Sequence, residues 1–209
     1  MRRILPLLIA LAVLVGCSDD GGTPSPTSVG ATNEVPAPVR KFVARVAEPG
    51  AVAFRATYHV VQSLGGESDV EVVASPPSWL VRTSDLVIVG GRRRATCRVQ
   101  ERRCEPGIQE QLLQPIGVFS RFFADSPARA LEADARRLGA GRLVLSRRTV
   151  AGVTLRCAAV PIQGVPAATY CLTPDGVFGF VENTAVRYEL TSYEPGDPGE
   201  DADPPYPVS

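Results

Sequence analysis

The sequence predicts an α+β domain in which two antiparallel meanders of short strands lie on either side of a helical middle. Three observations lead to this fold class. Runs with a period of two fill most of residues 51–100 and 142–193, as expected for half-buried strands. Residues 108–138 change to helical spacing. Glycine turns separate consecutive runs, which is typical of antiparallel meanders.

The first meander opens with the clearest strand of the chain, over residues 51–62. Its polar face carries Arg55, Thr57 and His59. Its apolar face consists of Phe54, Ala56, Tyr58 and Val60. Further strands are predicted over residues 69–74, 78–83, 85–89 and 92–100, with turns at Gly65-Gly66 and Gly90-Gly91.

Helices are predicted before and after this meander. Residues 38–47 carry one apolar side, and residues 108–114 form a short helix that Pro115 ends. A longer helix is predicted over residues 126–138, with Ser126 as its N-cap and Pro127 in its first turn. Its apolar stripe consists of Leu131, Ala135 and Leu138.

The second meander is predicted from residue 142 to residue 193. Its strands cover residues 142–149, 154–161, 167–173, 177–182 and 186–193. An Asp-Gly turn at Asp175-Gly176 separates two of them.

The N-terminus reads as an export signal. Met1-Arg2-Arg3 is positively charged, and the apolar run that follows is shorter than the roughly 18 residues that span a bilayer. Leu14-Val15-Gly16-Cys17 resembles a bacterial lipobox. That resemblance implies cleavage of a signal peptide, residues 1–16, and a diacylglycerol on the sulfur of Cys17, which would anchor the protein to the extracytoplasmic face of the cell membrane. A plain secretory signal with an incidental cysteine is the alternative.

Two polar segments flank the predicted domain, residues 37–193. Residues 17–36 are rich in Gly, Pro, Ser and Thr, and they are interpreted as a flexible tether behind the lipid anchor. Residues 194–209 contain five carboxylates, five prolines and no basic group. This composition predicts a disordered acidic tail.

Four cysteines remain once Cys17 is set aside, and export permits disulfides between them. Four cysteines allow three pairings. Local context favours Cys97–Cys104 and Cys157–Cys171, each joining the neighbouring strands of a hairpin. A four-cysteine zinc site is the competing interpretation, but the chain contains no C-x-x-C spacing.

The order of these features resembles that of the LolA/LppX/LprG-type lipoprotein superfamily. The likeness rests on VAGVTLRCAAVP at residues 150–161 and on YCLTPDGVFGFVENTAVRYELTSYEP at residues 170–195, in which Gly152, Asp175 and Gly176 take comparable places. It implies a curved antiparallel β-sheet, a half-barrel, wrapped around a few helices. The chain is also similar to actinobacterial lipoproteins with the same cysteine pattern.

Composition and motifs exclude several function classes. The 22 basic and 22 acidic residues balance, which argues against a nucleic-acid binder. Nucleophile-elbow, P-loop, zinc-protease and dinucleotide motifs are absent from the sequence. His59, the one histidine, is interpreted as a surface or cross-strand residue, and Glu132 and Asp134 as solvent-facing. We therefore predict no catalytic residue, no metal site and no cofactor.

Arginines are concentrated between Arg82 and Arg156, with fifteen of them against seven carboxylates. Six crowd one predicted hairpin: Arg92, Arg93, Arg94, Arg98, Arg102 and Arg103. One interpretation is contact with anionic lipid headgroups or cell-wall polymer. The other is a solvated hairpin that the acidic tail partly neutralises.

Aromatic side chains lead to two candidate functions. In a half-barrel that its helices do not fill, a pocket for a lipid or glycolipid could be lined by Phe54, Tyr58, Trp79, Phe119, Phe122 and Phe178. The bland interpretation is that these residues fill the core. The first candidate function is a lipid-anchored carrier of an apolar ligand. The second is a non-catalytic module that binds a membrane or cell-envelope protein.

Overall fold

One antiparallel sheet dominates the computed structural model, which describes residues 34–47, 51–118, 125–137, 142–199 and 202–209. Within these residues the sheet has eleven strands: β1 (Phe54–Gln62), β2 (Glu67–Ser75), β3 (Ser78–Arg82), β4 (Leu86–Gly90), β5 (Ala95–Arg98), β6 (Arg103–Pro106), β7 (Val144–Val150), β8 (Val153–Ile162), β9 (Val165–Leu172), β10 (Phe178–Glu182) and β11 (Val186–Pro195). Their order is β6-β5-β4-β3-β2-β1-β11-β10-β9-β8-β7, so the curved sheet does not close. The predicted fold class is confirmed.

The two meanders join where β1 pairs with β11. Phe54 lies opposite Pro195 and Gln62 opposite Val186, with one register shift between Thr57 and Tyr58. Each meander by itself is a series of hairpins between strands that are neighbours in the chain. The β1–β11 ladder therefore converts two local structures into a single sheet.

Two α-helices, α1 (Ala37–Val43) and α2 (Asp125–Arg136), occur in the described residues. Both correspond to predicted helices with shifted ends. The assignment of Ser126 as N-cap was wrong, because α2 begins one residue earlier, at Asp125, and Ser126 lies within the helix. The predicted helix at 108–114 is replaced by two 3-10 turns, Glu110–Leu112 and Gln114–Ile116. Pro115 lies inside the second turn. Because proline has no N–H, it cannot donate the hydrogen bond that would continue an α-helix through this position.

The helices pack against one face of the sheet and fill it with apolar side chains. Val39 and Phe42 of α1 and Leu131 of α2 are buried there with the inward-facing residues of β1. Tyr58 is buried in this main core and donates a hydrogen bond from its hydroxyl to the Phe178 carbonyl at 2.9 Å. The alternation predicted for β1 is confirmed by its burial pattern.

A smaller apolar cluster lies on the opposite face of the sheet. It is formed by Val73, Leu80, Val87, Val89, Ala95 and the Cys97–Cys104 pair, and it includes Ala202. Val99 and Tyr206 pack against it from outside. We call this cluster the outer core.

The prediction that residues 194–209 are disordered was wrong for most of the described part of this segment. β11 runs to Pro195, and Ala202, near the C-terminus, is only 5% exposed. Val208 forms a parallel bridge to Cys104 beside β6. The prediction from composition failed because Ala202 and Tyr206 give the tail two apolar contacts with the outer core.

Both predicted disulfides are present. Cys97 lies opposite Cys104 on β5 and β6, and Cys157 lies opposite Cys171 on β8 and β9. Each bridge therefore joins directly paired residues of neighbouring strands, at sequence separations of 7 and 14.

The chain divides into two units, and the described residues all belong to the second, Asn33–Ser209. The predicted signal peptide, the lipid-attachment residue Cys17 and most of the predicted tether lie outside the described residues. Among the residues that the structure describes, no helix is long and apolar enough to cross a membrane.

Candidate functional site

A cleft of about 620 Å³ separates helix α1 from strands β7 and β8. Its volume falls in the range of roughly 300–1,000 Å³ that is common for small-molecule sites. The residues that line it are Ala37, Pro38, Lys41, Phe42, Arg45, Leu145, Ser146, Arg147, Arg156 and Cys157. We call this space the basic cleft.

Helix α1 is fixed beside the cleft at its C-terminal end. The Ala47 amide donates a hydrogen bond to the Gly176 carbonyl at 2.9 Å, which ties the end of α1 to the β9–β10 turn. Gly176 has a φ of 83°, and a Cβ at this position would lie 2.2 Å from the Arg45 carbonyl oxygen. Only glycine permits this approach, so the predicted Asp-Gly turn also positions one wall of the cleft.

The floor of the basic cleft is apolar. Phe42 contributes its ring from α1, and Leu145, on β7, is 65% exposed and available to a ligand. A second cleft of about 390 Å³ shares Phe42, Arg45, Arg147 and Arg156 with the first and extends to Leu172 and Pro174. The two clefts are therefore adjacent and share three of the four cations described next.

Four cations surround this floor: Lys41, Arg45, Arg147 and Arg156. No ion pair with a carboxylate is found for any of them in the described parts of the chain. Arg147 and Arg156 are directly opposite each other in the β7–β8 ladder. Like charges in that position repel and destabilise a strand pair. The cleft therefore carries positive charge that no carboxylate of the described residues neutralises through an ion pair.

This arrangement suits a ligand with one anionic and one apolar part. Guanidinium groups bind carboxylate and phosphate oxygens through paired N–H donors. An anion between Arg147 and Arg156 would also relieve their mutual repulsion. The exposed Leu145 and the Phe42 ring offer contact to a hydrocarbon segment at the same time.

The four predicted aromatic pocket residues that the structure describes do not line the basic cleft. Phe54, Tyr58 and Phe178 are each at most 2% exposed and pack within the main core. The Trp79 ring covers Gly90 on the neighbouring strand, where a Cβ would lie 2.1 Å from the ring. Phe119 and Phe122 lie outside the described residues, so a pocket built from all six stays a prediction.

Two polar residues singled out from the sequence have clear positions. His59 lies across the β1–β2 ladder from Asp69, with Nδ1 3.0 Å from the carboxylate oxygen Oδ1, as its cross-strand interpretation predicts. Asp134 was wrongly expected to face solvent: it is 6% exposed and accepts a hydrogen bond from the Tyr170 hydroxyl at 2.7 Å. Burial and this carboxylate raise the pKa of Tyr170 above its ordinary value. Asp134 therefore stabilises the α2–β9 contact.

Metal-ligating side chains do not converge in the described ranges. No group of three or more His, Cys, Asp or Glu residues suitable for a metal ion occurs there. All four cysteines of the domain are held in disulfides.

Sequence reasoning missed the cations of the cleft. The hairpin around Ala151-Gly152 contained a usable signal, because its register places Arg147 opposite Arg156. Lys41 and Arg45 carried no such signal, since their distance from β7 depends on how α1 docks.

Comparisons with known proteins add a likeness of fold. No protein-family model and no curated protein matches the chain. Two similar solved structures are the crystal structure of MucB, at 20% identity and a TM-score of 0.47, and that of MucB in complex with MucA(peri), at 17% and 0.42. The matches cover 77% and 75% of this chain but only 60% and 55% of those chains. The chain thus spans less than two thirds of the length of these relatives.

Proposed function

We propose that this protein is an extracytoplasmic lipoprotein that binds an anionic lipid or glycolipid in the basic cleft. The observation that carries the proposal is the set of four cations around an apolar floor, none of which forms an ion pair with a carboxylate that the structure describes. The headgroup binds between Arg147 and Arg156, and a hydrocarbon segment lies against Phe42 and Leu145.

The expected anchor supports this assignment. Diacylation of Cys17 holds a protein stably at a membrane, which is the source of anionic lipids. Two disulfides are typical of proteins that fold outside the cytoplasm. The resemblance to LolA/LppX/LprG-type lipoproteins points to the same kind of ligand. The proposed ligand site is therefore the basic cleft, and not the aromatic pocket that the sequence predicts.

Replacing both Arg147 and Arg156 by glutamine tests the site. We expect this double variant to bind a short-chain phosphatidylglycerol, below its critical micelle concentration, at least about tenfold more weakly than the wild type. One hydrogen bond to a charged group contributes about 1.5–3 kcal/mol, and 1.4 kcal/mol corresponds to a factor of ten in affinity. Isothermal titration calorimetry measures both proteins, and a phosphatidylcholine of equal chain length serves as the neutral ligand.

The matched control is Arg92→Gln/Arg94→Gln, which removes two exposed cations from the opposite end of the sheet. It should bind the lipid as the wild type does. The cleft variant should keep its free energy of unfolding or gain up to about 1 kcal/mol, because a repulsive pair is removed. Equal affinity of both variants for phosphatidylglycerol, or equal binding of the two lipids, would contradict the proposal.

The anchor has its own measurement. Protein purified from the membrane fraction should have an intact mass that begins at Cys17 and includes a diacylglycerol with its acyl chains. A Cys17→Ser variant should lack that added mass. An unmodified wild-type mass that begins at a residue other than Met1 or Cys17 would show a plain secretory signal instead, and an uncleaved mass would contradict both assignments.

A second candidate function, a module that binds a cell-envelope protein, is favoured by a different surface. On the outer core, the C-terminal segment covers apolar side chains that a partner could also cover.

A further inference from the structure

The last eight residues of the chain lie in a groove formed by β6 and the outer core. Pro207 accepts a hydrogen bond from the Cys104 amide at 3.2 Å, and the Ser209 amide donates one to the Cys104 carbonyl at 3.1 Å. Both backbone groups of Cys104 that face the edge are thus used by the segment. An extended chain has been added to the sheet in parallel, as peptide ligands do in β-augmentation.

Side chains hold the same segment over the outer core. Ala202 is buried and Tyr206 packs on the apolar cluster, in which Leu80, Val87 and Val89 are no more than 3% exposed. These residues belong to the face that the helices do not cover. Removing the segment would therefore expose part of an apolar patch, and such patches mark interaction sites.

Charged side chains also hold the described residues of the segment in place. Asp203 lies 3.7 Å from Arg93, and the Ser209 hydroxyl accepts a hydrogen bond from Arg103 at 3.0 Å. Within the described part of the chain, Arg92, Arg94 and Arg102 have no ion pair with a carboxylate. The docked residues 202–209 thus contact two of the six arginines of the hairpin, which supports the interpretation of a partly neutralised hairpin.

We propose that this groove is a binding site for an acidic, proline-containing extended segment of a cell-envelope protein, and that the chain's own C-terminus is its resident, displaceable occupant. The proposal gives the second candidate function a partner class and is independent of the basic cleft. The described residues of the segment make few contacts: two backbone hydrogen bonds, the Arg103–Ser209 hydrogen bond, one ion pair at 3.7 Å, and apolar contacts through Ala202 and Tyr206. Because the linked segment acts at an effective concentration in the millimolar range, a partner displaces it only by binding the groove more tightly, for example through more carboxylates.

A labelled peptide of residues 202–209 tests the groove by fluorescence anisotropy. The full chain with Tyr206→Ala, whose own segment has lost its aromatic contact, should bind this peptide at least about tenfold more tightly than the wild-type chain does. A chain that ends at Gly199 should bind it at least as tightly as the Tyr206→Ala chain. Adding Arg93→Glu to the Tyr206→Ala chain should weaken binding, and a peptide with Asp203→Arg should restore it.

Four results would overturn the proposal. Equal binding to the wild-type and Tyr206→Ala chains would place the peptide elsewhere, and no binding to the chain that ends at Gly199 would show that the groove accepts its segment only in cis. Unfolding of that shortened chain, seen by circular dichroism, would make the segment part of the fold. A wild-type dimer at micromolar concentration that the free peptide dissociates would assign the groove to a second copy. Phosphatidylglycerol binding in the basic cleft is measured in parallel on the same proteins. Each proposal can therefore fail while the other is still tested by its own measurement.

Discussion

Replacing Tyr58 by alanine should lower the free energy of unfolding by about 3–5 kcal/mol, the usual cost of removing a large aromatic side chain from a core. Tyr58 is 1% exposed, and the main core surrounds it on the helix-covered face. The substitution leaves a cavity and also leaves the Phe178 carbonyl without its hydroxyl donor. Urea unfolding followed by circular dichroism measures the change.

Tyr58→Phe separates the hydrogen bond from the packing. At neutral pH we expect it to cost about 1 kcal/mol, because the ring keeps its packing and the hydroxyl's bond to the Phe178 carbonyl is lost. A loss as large as that of Tyr58→Ala would show that the hydroxyl, and not the ring, dominates.

The same pair of proteins should respond differently to alkali. Burial, with a smaller contribution from Tyr193, raises the pKa of Tyr58 far above its ordinary value. The folded protein therefore keeps the proton, whereas the unfolded chain loses it above a pH of about 10. Stability from Tyr58 is complete below that pH and falls above it by about 1.4 kcal/mol per pH unit relative to Tyr58→Phe. An unchanged difference between pH 8 and pH 11.5 would contradict the burial of this hydroxyl.

Removing the Cys157–Cys171 disulfide should lower the free energy of unfolding by about 3 kcal/mol. The bridge closes a loop with a sequence separation of 14 and joins β8 to β9 next to the basic cleft. The double variant Cys157→Ala/Cys171→Ala should therefore unfold at a lower urea concentration, with a similar dependence on denaturant.

Cys97→Ala/Cys104→Ala is the matched comparison for this bridge. Its loop is shorter, with a sequence separation of 7, so the loop-entropy contribution is smaller, about 2.5 kcal/mol. This pair also lies under the C-terminal segment. Exchange of the backbone amide hydrogen at residue 104 should therefore be faster in the Cys97→Ala/Cys104→Ala variant than in the wild type. A bridge whose removal leaves the unfolding midpoint unchanged would contribute nothing in the native protein.

The local structure of this protein could be predicted largely from its sequence. The strict alternation of β1 predicts its buried face, because successive side chains of a strand point to opposite faces. The Asp175-Gly176 turn and the two cysteine pairs follow from spacing within single hairpins. These features depend on residues close together in the chain, where backbone geometry leaves few choices.

Only the tertiary structure determined where the surfaces for ligands lie. The β1–β11 ladder joins residues more than a hundred positions apart, and the docking of α1 brings Lys41 and Arg45 to Arg147 and Arg156. Likewise, an acidic, proline-rich composition predicts disorder for the C-terminus, yet Tyr206 and Ala202 find apolar partners on the outer core. Sequence periodicity specifies which face of each element is apolar. Which other part of the chain covers that apolar face depends on long-range packing, and no local sequence pattern encodes it.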